Sequence, residues 1–280
     1  MSKGLKFFFI AFFVSFFGVF VLNAFQQNLE SAFYAQISQP FQQIYEVKIP
    51  EKPKLDLKVK AAILVKINET GRQKVLFEKN ADQILPIASL TKLMTAVIIL
   101  EHQENYGSSQ EDLLNRMLIQ SDNKVAQALA EVIGETKFVD LMNEKAKNLG
   151  LEKTNFVNPT GLDPEDPENL KYSSATQDNF NHSTAKDLVK LTQYILKEQP
   201  LIFEISSQGS IKNGIFDLFL IQEIIGGKTG YTDEAGGCIL FVFKNEDGNF
   251  LINVILGAPS PSARIEEMQK LIDWLNGRRE

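Results

Sequence analysis

Cys238-Ile239-Leu240-Phe241-Val242-Phe243-Lys244, then Asn245-Glu246-Asp247-Gly248, then Phe250-Leu251-Ile252-Asn253-Val254-Ile255-Leu256, form two runs of branched and aromatic residues around a polar turn. Runs of this length, separated by an Asn/Asp/Gly cluster, predict an antiparallel hairpin. A second hairpin is written early in the chain. There Ala61-Ala62-Ile63-Leu64-Val65-Lys66-Ile67 leads through Asn68-Glu69-Thr70-Gly71 to Lys74-Val75-Leu76-Phe77-Glu78. Between the hairpins the sequence is mostly helical in pattern, with helices predicted at 91–103, 111–119, 124–133, 137–149 and 184–197, and another at 264–276. Early and late strands enclosing a helical middle predict an α/β (α+β) domain, with one antiparallel sheet assembled from the N- and C-terminal strands and packed with helices.

The chain has 280 residues, enough for a full core in one domain, which the pattern places at 59–280. Residues 26–58 are polar and irregular, with Pro40, Pro50 and Pro53, and read as a stalk or linker. Before them, Lys3 and Lys6 precede a phenylalanine-rich apolar run from Phe7 to Leu22 that resumes at Ala24 and Phe25. Residues 1–25 are therefore a membrane anchor or a secretory signal. Cleavage after Ala24 places bulky Leu22 where signal peptidase prefers a small residue, so the anchor is expected to stay. Positive charge ahead of the run keeps the N-terminus cytoplasmic. The expectation is an extracytoplasmic domain held to the cytoplasmic membrane by residues 7–25, or secreted if the segment is cut.

Composition narrows the chemistry. A net charge of −6 without a basic patch disfavours nucleic acid as a partner. One cysteine precludes an internal disulfide, and two distant histidines make a histidine-rich metal site a poor expectation. No metal or cofactor is expected. Chemistry falls to Ser, Lys, carboxylates and amides.

Three short motifs supply such groups in a fixed order: Ser89-Leu90-Thr91-Lys92, Ser121-Asp122-Asn123 and Lys228-Thr229-Gly230. Ser-x-x-Lys also occurs at Ser121 to Lys124 and at Ser183 to Lys186, so context has to choose. Ser89 opens the apolar run Leu93 to Leu100, read as a buried helix that begins at the serine. Ser and Lys three apart then share a face, and the serine sits among helix N-terminal N–H groups. Each motif has a plainer reading: an N-cap at Ser89, a cap at Ser-Asp-Asn, a turn at Gly226 to Gly230. The ordered trio outweighs all three. Cys238 lies in an apolar strand and reads as a structural thiol, while His182 and Trp274 read as surface or packing residues.

The chain resembles the low-molecular-weight penicillin-binding proteins, specifically the serine D-alanyl-D-alanine carboxypeptidases. The likeness runs through Pro86 to Ala96, Met117 to Asn123, Asn158-Pro159-Thr160-Gly161-Leu162, Ser183 to Leu188 and Gly227 to Cys238. It implies a beta-lactamase/DD-peptidase-like fold and removal of the terminal D-alanine from peptidoglycan stem peptides, with beta-lactams as inhibitors. It also implies roles for named residues. Ser89 is the nucleophile, Lys92 its base and Ser121 the proton carrier to the leaving amine. A lysine accepts a proton only when uncharged, a state that burial and a second cation at Lys228 favour. Asn123 holds the substrate backbone and the Lys92 amine, Lys228 and Thr229 hold the terminal carboxylate, and Gly230 allows close approach. The backbone N–H groups of Ser89 and Tyr231 form the oxyanion hole.

Two departures from the family pattern stand out. The stretch from Lys92 to Ser121 is shorter than usual, as though small strands had been removed from the rim. The pattern also ends with its last helix, so the beta-rich second domain of many relatives is expected to be missing. A class A beta-lactamase is an alternative, with Glu165 or Glu168 activating water, although neither fits that class's Glu-x-x-Leu-Asn pattern. A non-catalytic penicillin-binding scaffold or sensor is another, disfavoured because every expected catalytic residue is present.

Overall fold

The computed structural model describes residues 26–29, 54–106, 110–166, 180–208 and 223–277. The chain divides into two units, Met1–Pro53 and Lys54–Glu280. Of the first, only a helical turn at 26–29 is described, so the expected anchor and most of the expected stalk lie outside the described residues. Among the described residues no helix is long and apolar enough to cross a membrane.

The second unit is built on a five-stranded antiparallel sheet. Its strands are β1 (Ala61–Ile67), β2 (Gln73–Lys79), β5 (Glu223–Thr232), β6 (Gly236–Lys244) and β7 (Phe250–Ala258), in the order β2-β1-β7-β6-β5. Both expected hairpins form, and β1 pairs with β7 from Ala61↔Leu256 to Ile67↔Phe250. β3 (Leu85–Pro86) and β4 (His182–Ser183) make a separate two-stranded pair.

Both faces of the central strands are covered, which explains their unbroken apolar runs. Ile63, Val65, Leu240, Val242, Ile252 and Val254 enter one core cluster, while their neighbours Ala62, Leu64, Phe241, Phe243, Leu251 and Ile255 enter another. The first cluster includes α1 (Thr91–Glu101) and α5 (Ala185–Glu198), together with residues of α2 (Gln110–Ile119), α3 (Asn123–Glu131), α4 (Glu135–Asn148) and α6 (Leu201–Ser207). The second is closed by α7 (Ala263–Leu275), whose Met268, Leu271 and Ile272 are buried. Trp274 packs edge-on against Phe77 at the margin of this layer, with ring centroids 5.7 Å apart.

All of α1 except Glu101 is buried, so this helix is core on every side. It starts at Thr91 rather than at the serine. Residues Ala88–Leu90 instead form a 3-10 turn, and this displacement shapes the site.

Candidate active site

The chain enters the site through β3, where Leu85 pairs with Ser183 and the Ile87 N–H donates to the Asn181 carbonyl at 3.1 Å. Ala88 then adopts a left-handed φ of +47°, costing about 1–2 kcal/mol. Half-buried Ser89 follows in the middle of the 3-10 turn. One turn later Lys92 is completely buried. Its Nζ lies 3.1 Å from Ser89 Oγ and donates to Asn123 Oδ1 at 2.7 Å and to the Thr160 carbonyl at 2.5 Å.

The second motif does two jobs. Asp122 is the N-cap of α3, with Oδ1 accepting from the Val125 N–H at 3.1 Å and Oδ2 accepting from Arg116 at 2.8 Å. Its neighbours are thereby turned inward. Asn123 reaches Lys92, and Ser121, held at φ +60°, accepts from Lys228 Nζ at 2.9 Å. The cap reading and the site reading are both realised, on different residues of one tripeptide.

The third motif lies on β5, with Lys228 buried and Thr229 half-buried. Burial first, and then the Arg264 cation, push the Lys228 ammonium down to about 7. Gly230 passes directly against the serine turn. A Cβ added there would stand 2.7 Å from the Ser89 nitrogen, so only glycine permits the approach. Tyr231, the next residue, is exposed and lines a cleft of about 660 Å³ together with Leu162, Asp163, Phe180, Thr232 and Glu234.

The segment 157–162 makes the floor. Asn158 Oδ1 accepts from the Thr160 N–H, the Thr160 hydroxyl and the Gly161 N–H. Asn181 in turn donates to Asn158 and to Thr91 Oγ1, and Thr95 Oγ1 donates to the Pro159 carbonyl at 2.7 Å. This buried network presents the Thr160 carbonyl to Lys92. Gly161, at φ +85°, lies so near the Ala88 carbonyl that a Cβ would fall 2.0 Å from its oxygen.

All eight expected site residues therefore lie on the linked segments around Ser89 and Lys92. Sequence reasoning gave no role to Asn158, Thr160, Asn181 or Arg264. The only signal for Asn158 and Thr160 was the motif Asn158-Pro159-Thr160-Gly161-Leu162, which names a loop but not its contacts; Asn181 and Arg264 had none. Glu165 is exposed at the cleft rim, and Glu168 lies outside the described residues. Cys238 is buried, its thiol pushed up to about 11 by burial, which suits a packing residue. Half-buried His182 contacts the Phe180 carbonyl through Nδ1 at 3.1 Å. Among the described residues no group of three His, Cys, Asp or Glu side chains is placed to hold a metal.

A serine beside a buried lysine amine, with further hydroxyl, amide and cationic groups hydrogen-bonded around the pair, is an arrangement suited to acyl transfer. The model of the D-alanyl-D-alanine carboxypeptidase family, peptidase S11, matches residues 46–107 and 102–260, and the chain belongs to that family. The D-alanyl-D-alanine carboxypeptidase DacF of Bacillus subtilis is 32% identical over 250 residues, a match covering 77% of this chain and 61% of that protein's length. The D-alanyl-D-alanine endopeptidase of Escherichia coli is 30% identical, covering 77% of this chain and 76% of the relative. Penicillin-binding protein D2 of Listeria monocytogenes, solved in its cefotaxime-bound form, superposes with a TM-score of 0.64 at 30% identity, covering 79% of this chain and 98% of that one.

Proposed function

We propose that this chain is a serine D-Ala-D-Ala carboxypeptidase that removes the terminal D-alanine of peptidoglycan stem peptides and is acylated by beta-lactams. The observation that carries this reading is the set of contacts at Lys92 Nζ. An uncharged amine has two N–H groups and one lone pair. Lys92 Nζ donates to the Asn123 and Thr160 oxygens at 2.7 and 2.5 Å, and with Ser89 Oγ 3.1 Å away it can, once uncharged, receive the serine proton on its lone pair. Ser89 Oγ gives its proton to Lys92 as it bonds to the penultimate D-Ala carbonyl carbon. The C–N bond to the last D-alanine then breaks, and its nitrogen receives a proton through Ser121. Water subsequently releases the shortened peptide from Ser89. Lys228 and Thr229 hold the terminal carboxylate, while the N–H groups of Ser89 and Tyr231 stabilise the oxyanion.

Incubation with a stem pentapeptide is expected to release free D-alanine, and Ser89→Ala to abolish it. No release from pentapeptide by penicillin-reactive protein sinks the carboxypeptidase assignment. Relatives named as endopeptidases, 29–30% identical, support a second reading in which the same site cleaves cross-links. Cleavage of a cross-linked muropeptide dimer in preference to the pentapeptide selects it.

The apolar run at Phe7 to Leu22 supports an extracytoplasmic domain anchored by residues 7–25. Membrane pelleting that resists alkaline carbonate, with the domain open to external protease, is the expected result. A soluble full-length chain contradicts it.

A further inference from the structure

Arg264, in the first turn of α7, crosses from the back layer of the fold to the Lys-Thr-Gly strand. It is half-buried, and its Nη1 donates to the Gly230 carbonyl at 2.5 Å. That carbonyl belongs to the same peptide unit as the Tyr231 N–H. In a trans peptide the C=O and N–H point in opposite directions, so a cation fixed on the oxygen sets the direction of the N–H on the far side. Here β5 is the edge strand of the sheet and runs against the serine turn, a Cβ on Gly230 meeting the Ser89 nitrogen at 2.7 Å. A charged donor on the oxygen also draws electron density from the amide and makes its N–H a stronger donor.

We infer that Arg264 is a positioning residue that orients and polarises the Gly230–Tyr231 peptide as an oxyanion-hole donor, acting from behind the strand without touching substrate. The inference rests on the carboxypeptidase reading, in which that N–H meets the developing oxyanion. A weakened donor lowers transition-state stabilisation and leaves ground-state binding nearly intact.

The test compares full-length wild type with Arg264→Met and Arg264→Lys. Acylation by penicillin G and pentapeptide kcat are expected to fall about 10- to 100-fold in Arg264→Met, less than for outright removal of an oxyanion donor. Measured below pH 7, where Lys228 keeps its charge with or without its Arg264 neighbour, KM should stay within about twofold, and affinity for a peptide boronic acid, whose adduct carries the oxyanion, should fall in parallel with kcat. Arg264→Lys should recover part of the loss. Complete labelling on long incubation with penicillin certifies that each variant is folded. Wild-type acylation rates in fully labelled Arg264→Met, or unchanged boronic-acid affinity beside a lowered kcat, overturn the inference. Wild type that neither reacts with penicillin nor releases D-alanine overturns the reading of the site, and the inference with it.

Discussion

The two sides of the sheet are made of different materials. The back layer between the sheet and α7 is mostly apolar, from Leu57 through Phe241, Phe243, Met268 and Leu271, with Asn253 and Glu267 buried among them. The serine side carries Lys92, Lys228, Asn158, Thr160, Asn181 and Thr95 in burial, and two residues of left-handed φ, Ala88 and Ser121. Hydrophobic burial stabilises the first region, whereas the second spends stability on buried lysines and strained backbone to hold reactive groups ready. The back layer is expected to govern whether the domain folds, and the serine side whether it reacts.

Lys92→Ala is the strongest way to separate them. Acylation of Ser89 should slow by roughly a thousandfold, while the thermal midpoint stays near wild type. A parallel collapse of both, measured by penicillin labelling and calorimetry, would erase the distinction.

Lys228 sharpens it through pH. Its folded value of about 7 lies below the 10.5 of an unperturbed lysine. The unfolded chain therefore binds the proton more tightly, and the burial penalty is complete below pH 7, relieved progressively above it, and gone once the unfolded lysine also deprotonates. Wild-type stability should rise with pH across this window relative to Lys228→Met, by up to about 5 kcal/mol. Denaturant titrations at pH 6.5 and 9.5 check the sign, and equal gaps at both refute it. In the same window the free enzyme loses the cation that holds the substrate carboxylate. The kcat/KM for a pentapeptide should fall above pH 7.

In the back layer, Leu271→Ala should cost about 2–5 kcal/mol while folded protein is acylated at the wild-type rate constant. A matching loss of intrinsic rate would tie the two layers together. The smallest effect belongs to Asp122→Ala, which removes the α3 cap and about 1 kcal/mol of stability. Because Ser121 and Asn123 flank that cap, acylation should slow severalfold as well; a change in stability alone would show that the cap does not aim them.

Legibility in the sequence follows the same division. β1, β6 and β7 were readable because their apolar runs stop at Asn/Gly turns, and the helices because period and caps agree, as with Thr184 accepting from the Asp187 N–H. The trio Ser89, Lys92 and Lys228 was readable as ordered motifs. β5 was not marked as a sheet strand by pattern, since Gly226, Gly227 and Gly230 dilute its strand propensity. Helix α6 is too short for a period to register, and the 3-10 turn at Ser89 was absorbed into α1 because nothing in Ala88 announces a left-handed φ. The Asn158–Asn181 hub joins residues 23 apart through side chains that resemble ordinary turn formers. Arg264 looked like any charged residue opening a surface helix. Contacts made across the fold by polar groups leave no periodic trace.

The claim underneath is that three remote segments make one acylating centre at Ser89. Intact mass followed by peptide mapping after incubation with penicillin G tests it most directly. A single adduct on the peptide containing Ser89, absent from Ser89→Ala and slow to form in Lys92→Ala, is the result expected. Folded wild type that gains no adduct, or gains it on another residue, contradicts the account.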